Sequence, residues 1–372
     1  MTDQGWTPVC AIPNVTLDEP IEASHAAFVP CGDERLRSIA DHHPMFETFL
    51  SAFRDEFGTQ ICPTIGMARE HTPHIRNVTI FGGFRDAVCF SAVVAGQMLG
   101  TPSGIVHSDA FDIYPWFPTP QFDGRILTVT PALAGLDEVR RLQPQPAPAL
   151  GRRYLPISHI DHPLLRAILA RWERCFATGN ETVKDRRLFR SLEMARAASK
   201  MPGGVDATEH HAGRAAALWV SAFEILAHDG RRADFRSVLS LFSDVSWLRP
   251  KLKVQDREIT YKGETIQTNL AGVIYDRLNR ARNAFLHGNE VSVGTLKLES
   301  GQQAQWFAAP LFRLALTASL DLRFSETLPD NANEQDRGRH IANMIEFHRQ
   351  QKLSEDAILI ADAAKRQANR GS

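Results

Sequence analysis

Cysteine is scarce and irregularly placed in this chain of 372 residues. The five cysteines are Cys10, Cys31, Cys62, Cys89 and Cys175. Their number is odd and no C-x-x-C pair occurs, so neither a disulfide framework nor a zinc site is indicated. This usage favours a protein of a reducing cytoplasm.

Long apolar runs are also missing. The longest, residues 87–99, is interrupted and too short to span a bilayer. The first residues, Met-Thr-Asp-Gln, provide neither the basic nor the apolar region of an export signal. The sequence therefore indicates neither a membrane span nor export.

Charge is balanced over the whole chain but not along it. The net charge is −1, yet residues 1–150 carry 9 Lys and Arg against 17 Asp and Glu, whereas residues 151–325 carry 26 against 18. Excess positive charge suits a protein that binds RNA, although a solvated arginine-rich helix face would produce the same count. The basic segment is therefore the place to look for a phosphate-handling site.

A proline-rich stretch, residues 143–150, separates the acidic part from the basic part. Three prolines in eight residues suit an extended linker or a surface crossover, so a first domain is predicted to end near residue 150. Within it, Asn77–Phe81 and Arg125–Thr130 are predicted strands, and Asp86–Leu99 is a predicted buried helix. We therefore expect a mixed α/β domain.

One glycine pair in this domain, Gly82-Gly83, is interpreted as a turn. Its backbone amides would also suit a phosphate, but neither a G-x-G-x-x-G nor a Walker pattern follows. Nearby, aromatic residues occur among prolines at Phe111, Tyr114, Trp116 and Phe117. Such a group packs a loop over a core more often than it stacks on bases, so packing is the preferred interpretation.

Residues 151–325 show helical periodicity almost throughout. Start signals at Asp161 and Pro163, and at Asp206 and Glu209, precede predicted helices. The second of these two helices covers residues 215–227. Further predicted helices cover residues 184–200, 234–242, 274–285 and 306–323, and a helical tail follows in 326–372. The overall expectation is an α+β protein whose C-terminal part is an all-α bundle.

The helix that contains Ile274 and Phe285 ends in the most informative stretch, R-A-R-N-A-F-L-H-G-N at residues 280–289. Arg282 can hold a phosphate and stabilise its developing charge, and His287 can take or give a proton. Asn283 can orient either group. Such a set can cut RNA without metal because the 2′-hydroxyl supplies the nucleophile.

Helix geometry raises an objection to this site. Residues five apart on an ideal helix lie about 140° apart around its axis, so Arg282 and His287 diverge. Either the last turn unwinds at residues 286–288, or a second copy of the helix completes the site across a two-fold axis. The alternative is that neither residue is catalytic: Arg282 is then a surface arginine, and His287 only ends the helix.

The segment V-I-Y-D-R-L-N-R-A-R-N-A-F-L-H-G, residues 273–288, resembles the signature helix of the HEPN superfamily, in particular the Apea-like HEPN group. The upstream L-W-V-S-A-F-E-I-L, residues 218–226, resembles the long apolar helix of that group with its embedded glutamate. The resemblance covers about residues 160–325. It implies a helical bundle that commonly forms homodimers and, in active members, endoribonuclease action by the Arg and His of the motif without a metal or other cofactor.

Carried onto this sequence, the resemblance implies catalysis by Arg282 and His287, with Asn283 as the polar residue that follows the arginine. It also implies a prokaryotic antiviral, abortive-infection or toxin-type system. Many HEPN domains instead bind RNA, a nucleotide or a partner protein without cutting. Both the endoribonuclease and the non-catalytic adaptor therefore stay open.

Two further expectations concern residues outside the motif itself. Glu224 within its apolar helix is expected to pair with Arg282 or Arg280 and to orient the motif arginine, a direct acid or base role being the alternative. Arg186 and Arg187 are expected to be surface arginines that contact RNA.

No metal site is predicted. His159 and His162 flank Asp161, a spacing that metals can use, but Pro163 makes helix capping the preferred role. Adjacent His210 and His211 point in different directions on a helix and are expected at the surface. The acidic N-terminal domain is expected to sense a trigger ligand or protein, and the RNA is expected to be single-stranded or looped.

Overall fold

The computed structural model describes residues 5–42, 44–54, 58–98, 108–116, 118–119, 125–129, 134–136, 153–200, 208–228, 230, 234–323 and 333–363. The protein is α+β, as predicted. Its described residues form two compact units. Unit 1 is drawn from Met1–Ala92, Val106–Ile160 and Leu169–Thr182, and unit 2 from Val93–Ile105, Asp161–Ile168 and Val183–Ser372. The predicted linker at residues 143–150 lies outside the described residues.

Unit 1 is built on an antiparallel sheet of five strands in the order β3-β4-β5-β1-β6. The strands of the described chain are β1 Trp6–Ile12, β2 Val15–Leu17, β3 Ile21–Glu22, β4 Ala26–Val29, β5 Thr64–Arg69, β6 Tyr114–Pro115, β7 Pro118–Thr119, β8 Arg125–Val129, β9 Ala134–Leu136, β10 Arg153–Leu155, β11 Arg257–Tyr261 and β12 Glu264–Thr268. The predicted strand at Arg125–Thr130 is thus present as β8. Strands β7, β8 and β9 form a second sheet, and β2 pairs with β10.

Side chains alternate between the two faces of the five-stranded sheet, and each face is buried by a different set of residues. Ala27 and Val29 face a cluster that includes Phe46 and Trp116. Phe28, between them in β4, instead contacts the ring of Phe84 at a centroid distance of 5.0 Å. Trp116 and Phe111 are buried, so packing is the role of the aromatic group within its described part, and Phe117 lies outside it.

The helices are α1 Glu34–His42, α2 Pro44–Ser51, α3 Val78–Met98, α4 His162–Trp172, α5 Val183–Ser199, α6 Glu209–Leu226, α7 Phe235–Ser243, α8 Pro250–Lys253, α9 Leu270–Leu286, α10 Val293–Leu296, α11 Ala308–Ser319 and α12 Glu334–Ile360. Those of the C-terminal part occur where periodicity predicts them, except the four-residue helices α8 and α10, which were not predicted. Among the described residues, no helix is long and apolar enough to cross a membrane.

Helix α3 corrects two predictions. Residues 77–81 are not a strand, because the Asn77 Oδ1 accepts a hydrogen bond from the Thr79 amide at 2.9 Å and starts a helix there. Gly82-Gly83 is consequently inside that helix rather than a turn. Close approach to the sheet is possible because β5 has Gly66 at the contact, where a Cβ would lie 2.6 Å from the Phe81 ring.

Among the residues that the structure describes, unit 2 is helical except for one hairpin, β11–β12, which the sequence pattern does not predict. Its turn places Lys262 and Gly263 at φ values of 52° and 83°, the left-handed conformation that a two-residue hairpin turn requires. The C-terminal part is therefore a helical bundle with a hairpin rather than an all-α bundle.

A further correction concerns the start of α6. The capping box is formed by Thr208 and His211, whose Nδ1 accepts from the Thr208 amide at 3.1 Å, and not by Asp206 and Glu209. Asp206 itself lies outside the described residues.

One disulfide is present in unit 1, between Cys31 and Cys62, although cysteine spacing indicated none, so cysteine usage no longer favours a reducing compartment. Their Cα atoms are 5.7 Å apart, within the range that such a bond needs. The two cysteines are 31 residues apart in the chain and meet only in the folded structure, which explains why their spacing carried no signal. Cys10, Cys89 and Cys175 are buried and take no part in a disulfide.

Candidate functional site

Helix α9 carries the R-N-x-x-x-H motif and has well-formed caps at both ends. At its start the Asn269 Oδ1 accepts from the Gly272 amide at 3.2 Å. At its end the Gly288 amide bonds to the Phe285 carbonyl and the Asn289 amide to the Ala284 carbonyl, at 3.3 and 2.9 Å. This is a Schellman motif, and Gly288 supplies the positive φ, 70°, that it requires. The glycine after the histidine therefore fixes where the helix stops.

Arg282 lies on the side of α9 that faces α6. Its Nη2 is 3.6 Å from the Glu224 Oε2, and its Nη1 donates to the Asn283 Oδ1 at 3.1 Å. The Arg282 side chain is 28% exposed and that of Glu224 is 23% exposed, so solvent screens the pair only in part. The expected ion pair with Glu224 is thus present, and the hydrogen bond to Asn283 restrains the same guanidinium.

Glu224 is in an unusual environment for a carboxylate. Burial raises its pKa above the ordinary value, the charge of Arg282 opposes that rise, and Asp234 adds to it. The arginine therefore favours the ionised form of a carboxylate whose burial disfavours it. Removing either partner would leave the other charge poorly solvated.

Tyr275 is a neighbour of this pair that sequence reasoning missed. Its side chain is fully buried, and its hydroxyl has no hydrogen-bond partner among the described residues. Burial raises its pKa well above the ordinary value, with Glu224 contributing to the rise and Arg282 opposing it. The sequence places Tyr275 seven residues before Arg282, two turns along one helix face, but its burial beside Glu224 depends on how the helices pack.

Arg280, the other expected partner of Glu224, does not pair with it. Its Nε pairs with the Asp276 Oδ2 at 2.7 Å, one turn back on α9. Burial raises the pKa of Asp276, and the Arg280 charge opposes that rise. Arg280 therefore stabilises a buried carboxylate of its own helix, and Arg282 alone of the two is the partner of Glu224.

His287 occupies the C-cap of α9 and is exposed to solvent. None of the described residues forms a hydrogen bond with its imidazole. Its amide still bonds to the Asn283 carbonyl at 3.1 Å, so the last turn remains helical up to the histidine. Unwinding at residues 286–288 therefore does not bring His287 round to Arg282 within one chain.

A cleft of about 620 Å³ adjoins this end of α9. The ring of His210, at the start of α6, lies edge-on to Phe285 with centroids 4.9 Å apart, and both residues line the cleft. His210 is exposed, as expected, whereas His211 is half-buried and committed to the helix cap. The two histidines thus have different roles.

The two arginines expected to bind RNA are not equivalent. Arg186 is exposed on α5. Arg187 is half-buried and its Nη1 donates to the His228 carbonyl at 2.8 Å. Arg187 thus stabilises the end of α6, and its guanidinium is not simply a surface charge.

The described residues contain no group of three or more His, Cys, Asp or Glu that is arranged to hold a metal ion. Asp161, between His159 and His162, accepts from the Leu164 amide at 3.2 Å and from the Arg313 Nε at 2.7 Å. Its carboxylate therefore serves a helix start and a buried ion pair.

No protein-family model, curated protein or solved structure matches this chain. The likeness to the HEPN superfamily consequently rests on the motif residues of α6 and α9 themselves.

Proposed function

We propose that the protein is an endoribonuclease that cleaves single-stranded or looped RNA without a metal ion. The observation that carries the proposal is the arrangement at the end of α9: Arg282 is held by Glu224 and Asn283, while the imidazole of His287 is exposed and unpartnered among the described residues. Attack of the RNA 2′-hydroxyl on the adjacent phosphate needs two such groups: a fixed guanidinium that stabilises the developing charge, and an accessible side chain that transfers a proton.

In the reaction the 2′-oxygen of RNA attacks the adjacent phosphorus and the bond from phosphorus to the 5′-oxygen breaks. A base removes the 2′-proton, and an acid protonates the departing 5′-oxygen. His287 takes one of these parts, and Arg282 neutralises the charge that develops on the phosphoryl oxygens. The products carry a 2′,3′-cyclic phosphate and a 5′-hydroxyl.

A homodimer completes the site in this proposal. Since the last turn of α9 stays helical, Arg282 and His287 of one chain diverge, and a second copy across a two-fold axis supplies the missing group. The setting we propose is the cytoplasm of a prokaryote, in an antiviral, abortive-infection or toxin-type system, with the N-terminal part responding to a trigger. The resemblance of the motif supports that setting.

The direct test is incubation of the purified protein with total cellular RNA in excess chelator. Cleavage that continues in chelator and leaves cyclic-phosphate and 5′-hydroxyl ends is the expected result. Cleavage that stops on chelation, or that leaves 5′-phosphate ends, would show that the mechanism is wrong.

A non-catalytic adaptor that binds RNA, a nucleotide or a partner is the second candidate. It is favoured by the fact that the Arg282 guanidinium already has two partners in its own chain. RNA binding at low salt, with no cleavage by the dimer at any pH from 5 to 9, is the result that would select it.

A further inference from the structure

A second cleft, of about 550 Å³, lies in unit 2 and does not involve the motif residues. Its lining comes from four parts of the chain: the end of α7 and the connection to α8, α8 with the loop that follows it and the residue before α9, the segment after α11, and α12. These residues are Ser243, Val245, Ser246, Trp247, Leu248, Lys253, Gln255, Asn269, Arg323, Phe347 and His348.

The ionisable side chains that line this cleft are a lysine, an arginine and a histidine. Lys253, Arg323 and His348 come from three separate segments of the chain, and the described lining contains no Asp or Glu. Lys253 and His348 form no ion pair with any described residue. Arg323 pairs with Asp321 at 3.0 Å, but both side chains are largely exposed, so that pair competes weakly with a ligand.

The same cleft has an apolar side. Val245, Trp247 and Phe347 are buried residues that contribute surface to it. Serine hydroxyls and the Gln255 amide add neutral hydrogen-bonding groups. Apolar surface with a few convergent polar and cationic groups is the usual composition of a small-molecule site.

The wall that carries Trp247 and Leu248 is fixed in place. The buried Glu355 carboxylate of α12 accepts hydrogen bonds from the Leu248 amide at 2.8 Å and from the Arg249 amide at 2.6 Å. Arg249 also makes a two-pronged contact with Asp356, with both distances 2.7 Å. The cleft is therefore preformed, and a ligand would not have to order this loop.

From this cleft we propose a binding site for a phosphorylated ligand of mononucleotide size. Lys253, Arg323 and His348 hold the phosphate, and the aromatic part of the ligand packs against Trp247 and Phe347. The volume falls within the range of about 300–1,000 Å³ typical of such sites.

This site is separate from the proposed nuclease site and does not rest on it. Asn269, in the cleft lining, caps the start of α9, whereas His287 caps its end. A helix of 17 residues is about 25 Å long, so the two sites lie at opposite ends of one rigid element.

Calorimetric titration of the full chain with adenosine 5′-monophosphate, adenosine and inorganic phosphate tests the proposal. The monophosphate is expected to bind at least about tenfold more tightly than either fragment, because only it reaches both the cationic and the apolar side. No heat from millimolar monophosphate, or equal affinity for inorganic phosphate, would overturn the proposal.

Two double variants locate the binding. Lys253→Glu with Arg323→Glu reverses two charges of the cleft and is expected to weaken binding at least about tenfold. Lys251→Glu with Lys297→Glu makes the same change of net charge at exposed positions outside the lining, and is expected to leave the affinity unchanged. Equal losses in both variants would indicate general electrostatics and overturn the assignment. Retention of full affinity by the first variant would overturn it as well.

Discussion

The guanidinium of Arg282 in α9 lies 3.6 Å from the carboxylate of Glu224 in α6. The arginine favours the ionised form of a partly buried carboxylate, and the carboxylate restricts the position of the guanidinium. The catalytic proposal therefore depends on a residue one helix away from the motif, and the first prediction follows from this pair.

Replacing Glu224 with Gln is expected to lower the RNA cleavage rate about 10- to 100-fold, because an arginine misplaced by about an ångström loses most of its effect on the transition state. Rates measured across pH separate two roles. If Glu224 only positions Arg282, the variant keeps the shape of the wild-type pH profile. Loss of one limb of the profile would instead assign Glu224 a direct acid or base role. Glu193→Gln, exposed on α5, is the matched control.

Glu224 also makes stability depend on pH. Its pKa in the fold is raised above the ordinary 4.5, so the folded protein binds more protons than the unfolded chain between those two values. The free energy of unfolding should therefore fall as pH rises through that window. Urea unfolding from pH 4 to 8 should show a smaller fall for Glu224→Gln than for wild type. A steeper fall is expected for Arg282→Ala, since Arg282 opposes the rise. Identical pH slopes in all three proteins would contradict this assignment.

Local signals were sufficient to predict α9. Apolar residues at helical spacing predicted the helix, and Gly288 predicted its C-terminus. Both features depend only on residues close in sequence. The pairing of Glu224 with Arg282 or Arg280 was also predicted, because a lone carboxylate in an apolar helix needs a cationic partner.

Other features depend on contacts that sequence spacing does not carry. Residues 77–81 have the composition of a strand, but the buried rings of Phe81 and Phe84 pack on Phe28, and tertiary contacts outweigh local propensity there. The hairpin turn at Lys262-Gly263 lacks the usual Asn or Asp. Tyr275 was recognised only as part of a motif, because its burial beside Glu224 is a property of the packed helices.

A buried polar chain in unit 2 supplies a stability prediction. The Arg313 Nε donates to the Asp161 Oδ2 at 2.7 Å and its Nη1 to the Gln351 Oε1 at 2.9 Å, and Arg313 is fully buried. Arg313→Met is expected to lower the free energy of unfolding by about 3–5 kcal/mol, because it leaves Asp161 buried without its cation.

The control for that prediction is Arg349→Met, which breaks a half-exposed pair with Glu346 and should cost about 0–1 kcal/mol. Chemical denaturation measures both. The double variant Arg313→Met with Asp161→Asn should lose less than the two single changes added together, because the charges are removed as a pair. Simple additivity would mean that the pair is not coupled.

The cysteines should behave as two groups. Denatured but unreduced protein is expected to show three reactive thiols, with Cys31 and Cys62 appearing only after reduction. In the native protein Cys10 should resist alkylation at pH 8, since burial raises its pKa to about 12. Thiol titration and peptide mass mapping provide the count, and five thiols in unreduced denatured protein would contradict the disulfide. Replacing both Cys31 and Cys62 with Ser should cost about 3–4 kcal/mol by the loop-entropy relation.

The composite site makes the most specific prediction, because it requires Arg282 of one copy and His287 of the other. His287→Ala is expected to slow cleavage by about 10²- to 10⁴-fold while leaving the fold and most RNA affinity intact. Arg282→Ala should weaken both binding and rate. Each variant alone is nearly inactive.

Mixing the two inactive variants, with unfolding and refolding to exchange subunits, should restore activity. In a mixed dimer one of the two sites receives both intact residues, so about a quarter of wild-type activity is expected when the chains pair at random. Mass measurement must show a dimer in the mixture. No recovery from a mixture that has formed mixed dimers would mean that Arg282 and His287 act from the same chain or do not act together, and it would remove the argument for a shared site.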